Sequence, residues 1–139
     1  GKIIIKGIME PEDARLAVDS GADALIVSNH GGRQLDGAPS AIAALPAIVD
    51  AVGKQIEVHM DSGIRSGQDV LKAWALGARG TYIGRAFLWG LGAAGEAGVT
   101  KALQIIHKEL DTTMAFCGHT QIGTVDESIF RAGTYPVAS

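Results

Sequence analysis

The apolar positions along the chain fall into two alternating patterns. Short runs with almost no polar break, "IIIK" at 3–6, "DALIVS" at 23–28, "IEVHM" at 56–60 and "TYIG" at 81–84, read as buried strands. Between and after them, segments near 11–20, 40–52, 67–76 and 99–116 carry apolar residues at three- and four-residue spacing, which predicts helices. Strands without a polar face, alternating with helices, predict a parallel sheet covered by those helices.

One unit of this pattern is used twice. "DARLAVDSGADALIVS", Asp13 to Ser28, aligns with "DVLKAWALGARGTYIG", Asp69 to Gly84, at a constant offset of 56 from Asp13 to Asp69 and from Gly21 to Gly77. Each copy reads as an amphipathic helix, a Gly-Ala stop and a short apolar strand. Pro11 suits a first helical turn, where its missing N–H has no partner to lose. Ser66 with Asp69 has the form of a capping box, with Asp in the place of the usual Glu or Gln. Gly21 and Gly77 stand where a helix ends on a left-handed residue. The offset spans two strand–helix units, and a (β/α)8 barrel of about 250 residues needs roughly twice this chain. Four strands therefore read as half of such a barrel.

Composition narrows the setting. The 139 residues carry a net charge of −3 with no basic stripe, which argues against a nucleic-acid partner. Apolar runs are short and broken by glycine, so neither a signal peptide nor a membrane span is expected. The single cysteine, Cys117, cannot close an internal disulfide and fits a reducing compartment. No pair of histidines or cysteines has metal-ligand spacing, so no metal is expected.

In a parallel α/β unit, chemistry collects where strands end. The four exits here are Lys6-Gly7, "SNHGGR" at 28–33, "DSGIRSG" at 61–67 and "GRA" at 84–86. Gly63 and Gly67 would let the backbone approach an anion, and the helix starting near Ser66 would turn free N–H groups towards it. Arg65 and Arg85 add two guanidiniums matched to phosphate oxygens. His30 is a candidate general base, since imidazole changes charge near neutral pH. Arg33 could grip a substrate carboxylate with two parallel hydrogen bonds. His59, inside an apolar strand, reads as a packed, hydrogen-bonded residue, and His107 and His119 as structural or exposed. "GRAFLWGLGAAGEAG" lacks the spacing of a dinucleotide fingerprint.

"SNHGGRQLDG" resembles the active-site signature of the FMN-dependent L-2-hydroxy acid dehydrogenases and oxidases. The similarity continues through "KIIIKGI", "DSGIRSGQDVLKAWALGA", "YIGRAFLWGL" and "GEAGV" to about Phe130. It implies that the chain is the C-terminal half of a (β/α)8 barrel, in residues 1–130, with 131–139 a tail of no assigned role. It implies FMN as cofactor, held by Lys6 and Ser28 at the ring and by Asp61, Ser62, Gly63, Arg65, Gly84 and Arg85 along the ribityl phosphate. His30 would be the base and Arg33 the carboxylate clamp for an L-2-hydroxy acid, L-lactate by the nearest wording. The N-terminal half of the barrel, a homo-oligomer and a cytoplasmic setting, with or without contact to the inner face of a membrane, are further implications. An aspartate and the tyrosines that the family's first half supplies have no counterpart in this chain. Two readings from other classes remain open on the residues alone: a non-redox phosphate-binding barrel such as an isomerase or aldolase, and a non-catalytic half-barrel module.

Overall fold

The computed structural model describes residues 1–133. Four strands, β1 (Ile4–Ile8), β2 (Ala24–Val27), β3 (Glu57–Met60) and β4 (Gly80–Thr81), form one parallel sheet in the order β1-β2-β3-β4. Helices α1 (Pro11–Asp19), α2 (Ala41–Val52), α3 (Gly67–Ala75) and α4 (Arg85–Phe116) follow them in turn. The sheet is the expected α/β half-complement of an eight-stranded barrel. Of the tail at 131–139, residues 134–139 lie outside the described part.

The pleat divides the sheet into two faces. Leu25, Val27, Val58 and Met60 point to the helix side and pack with Ala14, Leu45, Ile48 and Val52 into the main core. Leu25, Leu45 and Ile48 are fully buried, and cutting one of them to Ala costs about 2–5 kcal/mol. The other face carries Ala24 and Ile26 beside Lys6, Glu57 and His59, which pair across the strands in register. That face is more polar than the apolar surface the strand composition suggests. A second core joins α3 to α4 through Leu71, Ala75 and Val125, with Leu110 and Met114 packed on it.

The local signals behave as their chemistry requires. Pro11 opens α1, and Gly21 and Gly77 take φ of +84° and +100° just past α1 and α3. Ser66 accepts from the Asp69 N–H, and Asp69 returns the bond to the Ser66 N–H, so the capping box forms with aspartate. Two expectations are corrected. The last strand shrinks from 81–84 to Gly80–Thr81, because its partner β3 ends at Met60, although the Tyr82 N–H still donates to the Met60 carbonyl. The last helix does not begin at 99. It begins at Arg85 and breaks once, at Ala94 and Gly95, where Gly95 adopts φ +57°. Gly90, Gly92 and Gly95 hide its first part from a propensity reading, since each glycine disfavours helix by about 1 kcal/mol. Those glycines have a packing role: a Cβ on Gly90 would overlap the Gly98 backbone, and one on Gly98 the Gly90 backbone. The two parts of α4 therefore fold against each other at glycine distance.

Candidate active site

All four strand exits open on one side of the sheet. His30, Arg33, Lys6, Asp61, Ser62, Gly63, Arg65, Gly84 and Arg85 line a single cleft of about 760 Å³. Ser28, the tenth candidate, is buried just beneath it. The sequence thus brings together an imidazole, an ammonium and three guanidiniums from loops separated by up to 79 positions, Lys6 to Arg85.

Lys6 is the hub. Its ammonium donates to Ser28 Oγ at 3.0 Å, pairs with Asp61 Oδ2 at 3.1 Å and lies 3.4 Å from His30 Nδ1. An ammonium can only donate, and the last contact is long for a hydrogen bond, so Lys6 is tied chiefly to Ser28 and Asp61. Ser28 Oγ also accepts from the His30 N–H at 3.2 Å, and Ser62 Oγ from the Gly31 N–H at 3.1 Å. The β2 and β3 loops are stitched together by two hydroxyls. Burial pushes the Asp61 carboxyl up, but hydrogen bonds from Ser28, Ser62 and Lys6 and the lysine charge outweigh it and hold it below the ordinary carboxylate range.

The backbone at the rim is unusual. His30 and Ser62 take φ of +55° and +66°, the left-handed region that costs a non-glycine residue free energy. They are the two non-glycine residues with positive φ among the described residues, and both lie in the cleft. Asn29, unassigned on sequence, holds this loop: its Oδ1 accepts from the Gly32 N–H and its Nδ2 donates to the Pro39 carbonyl. Gly7 has a role that its place in "KG" hints at. A Cβ there would stand 2.9 Å from His30 Nε2, so the imidazole occupies the space a side chain would fill. Tyr82 also lines the cleft, and its hydroxyl meets His59 Nδ1 at 2.9 Å while His59 Nε2 meets Glu57 at 3.1 Å. His59 is therefore the packed, hydrogen-bonded histidine expected.

One element of the anion reading is corrected. The start of α3 offers fewer free N–H groups than expected: the Arg65 and Ser66 N–H groups donate to Asp69 Oδ2 and the Gly67 N–H to Glu109 Oε2. Two carboxylates occupy it. The start of α4 differs, because its N-cap is Gly84, which has no side chain to cap with, and a Cβ on Gly84 would meet nothing within 4 Å. Backbone donors at 85–87, with the Arg65 and Arg85 side chains nearby, make this the better candidate for an anion seat. Among the described residues, no carboxylate lies within 4.0 Å of Arg33, Arg65 or Arg85.

The profile of FMN-dependent dehydrogenases matches residues 1–132. This chain belongs to that family. It is 54% identical over 129 residues to an L-lactate dehydrogenase of Caulobacter vibrioides, covering 93% of this chain and 34% of that protein. It is 52% identical over 122 residues to a pre-mycofactocin synthase of Mycobacterium tuberculosis, covering 88% of this chain and 31% of that one. A mandelate oxidase variant solved with a monooxide FMN adduct superposes with a TM-score of 0.85 at 50% identity, over 88% of this chain and 39% of that one. The monotopic membrane protein (S)-mandelate dehydrogenase gives 0.90 at 42% identity, over 94% and 34%. The chain spans about a third of the length of the curated relatives it matches. No helix among the described residues is long and apolar enough to cross a membrane.

Proposed function

We propose that the protein to which this chain belongs oxidises a small L-2-hydroxy acid, L-lactate first among the candidates, to the 2-oxo acid with FMN as cofactor. The observation that carries the reading is the convergence of His30, Arg33, Lys6 and the Arg65/Arg85 pair on one cleft. The donor set fits the cofactor: cations, hydroxyls and an uncapped helix start surround open space at Gly63 and Gly84.

In this reading Arg65, Arg85 and the backbone at the start of α4 hold the ribityl phosphate, with Asp61, Ser62 and Gly63 along the ribityl chain. Lys6 and Ser28 face the ring, where a cation favours its reduced, anionic form. When bound, FMN supplies the two-electron acceptor. Arg33 grips the substrate carboxylate and so fixes the adjacent carbon beside His30. Neutral His30 then takes one proton from the substrate and becomes imidazolium, while the two electrons and the substrate's second hydrogen pass to the acceptor, leaving the carbonyl. The rest of the barrel forms the other wall of the cleft.

Membership of the family disfavours the non-redox and non-catalytic readings, and an absorption spectrum separates them directly. An anaerobic titration of the full-length protein with lactate, glycolate and mandelate tests the proposal. Bleaching of a flavin band by one of these acids supports it, and a purified protein without flavin, or one bleached by none of them, refutes it. The likeness to a pre-mycofactocin synthase at nearly the same identity favours a second reading. There the same cleft oxidises a different substrate, and flavin that binds but stays oxidised with all three acids is its expected result.

A further inference from the structure

The two arginines of the anion seat arrive from different elements. Arg65 lies two residues before α3, and Arg85 is the first residue of α4. Both hang beyond the paired strands: β3 and β4 stay in register only to Met60 and Thr81, with one further bond from the Tyr82 N–H to the Met60 carbonyl, and the chain then runs through Gly84, which has no side chain.

The link runs through the helices behind the cleft. Gly67, the first residue of α3, is pressed onto α4 so closely that a Cβ would overlap the backbone N of Leu110. At the same point the Gly67 N–H donates to Glu109 Oε2 at 3.0 Å, between residues 42 positions apart. The second part of α4 is in turn locked to the first by the Gly90–Gly98 contact, five residues past Arg85. Arg65 and Arg85 are therefore the ends of a closed mechanical circuit: α3 start, Glu109, Gly98, Gly90, α4 start. Each joint is a backbone-to-backbone or charge-assisted contact, the kinds with least slack.

We infer that the Gly67–Glu109 joint is a positioning device for the anion seat, setting the spacing at which Arg65 and Arg85 grip a phosphate. Glu109 does not line the cleft. It acts through the start of α3, whose N–H it occupies, and it leaves the uncapped start of α4 as the place for the anion. This rests on the FMN reading above and deepens it by naming what makes the site selective for a phosphorylated flavin. A phosphate held between two forks is sensitive to their separation, whereas the isoalloxazine ring, bound near Lys6, is not.

The test compares FMN with riboflavin, which has the same ring and no phosphate, in fluorescence titrations of the full-length apoprotein. Glu109→Ala is expected to weaken FMN binding about tenfold, about 1.4 kcal/mol, while riboflavin binding changes less than about twofold. Glu109→Gln keeps an acceptor for the Gly67 N–H and is expected to restore most of the FMN affinity. Equal losses for both flavins, or no loss for either, overturn the inference, since a general loosening of the fold would not distinguish them. Should Glu109→Ala fail to fold, Glu109→Asp, whose carboxylate falls one bond short of Gly67, is scored by the same ratio. Inorganic phosphate is the independent probe. A parent protein that binds phosphate but not FMN sinks the flavin reading, and the joint is then judged on the loss of phosphate affinity in the same variants.

Discussion

The two ends of the sheet carry clefts of similar size and opposite electrostatic logic. At the amino end a cavity of about 650 Å³ is lined by Lys2, Asp23, Lys54, Glu57, His59 and Arg79, among others. Its charges are largely answered locally: Lys2 with Asp23, Glu57 with His59, and Arg79 stacked over Trp74 at 5.1 Å. At the carboxyl end Lys6 is paired with Asp61, but Arg33, Arg65 and Arg85 meet no carboxylate among the described residues. Backbone strain follows the same division, with His30 and Ser62 at positive φ only at the carboxyl end. Satisfied charges on relaxed backbone hold a fold together; unanswered cations beside strained backbone mark a candidate binding site. Size alone does not separate the two clefts.

The largest effect should come from the strained end. His30→Gln in the full-length protein is expected to retain FMN and to lower the rate of flavin reduction by substrate about 10²- to 10⁴-fold, the range for a general base. Stopped-flow absorbance measures it, and an unchanged rate would falsify the assignment. Next, Arg33→Lys keeps the charge and loses the two-pronged grip. A rise of about tenfold or more in KM, with flavin affinity unaltered, is expected in steady-state assays.

A smaller effect concerns stability and has a sign set by Asp61. Its folded-state pKa lies below the unfolded one, so near pH 4 the folded protein binds fewer protons there. The stability it lends is complete above the unfolded value of about 4 and drains as pH falls through the folded value. Asp61→Asn should therefore be destabilising at pH 7, and its deficit against the parent should narrow as urea midpoints are followed downward from pH 5. A deficit independent of pH would contradict the shift. The smallest effect belongs to the relaxed end: Glu57→Gln breaks a pair whose carboxylate is mostly exposed, and stability should change by less than about 1 kcal/mol with turnover untouched. A large loss of turnover there would break the contrast between the two ends.

How far the sequence can be read follows from how local each signal is. Pro11, the Ser66–Asp69 box and the glycine stops at 21 and 77 act within a few residues, and each is visible in the string and present in the fold. The 56-residue repeat and the unbroken apolar runs gave the parallel sheet and hence the rim on which all ten candidate residues meet or lie just beneath. What escaped depends on partners distant in sequence. Nothing near Gly67 says that Glu109 will take its N–H, so the start of α3 looked free. Glycines at 90 and 98 look like helix breakers until their backbones touch. Asn29 and Gly7 serve the His30 loop through contacts at Pro39 and across from β1, which spacing does not encode.

The absent side chain at residue 7 has a consequence for anyone who would transplant this chemistry. The histidine's orientation is written on the neighbouring strand, as a hole, and not in the segment that bears it. Moving "SNHGGR" alone onto another scaffold would carry the imidazole but leave it no berth; the donor's "KG" must travel with it, one strand away. Conversely, a single methyl added at that glycine would stand 2.9 Å from His30 Nε2 and crowd the ring without altering one atom of the loop's own sequence.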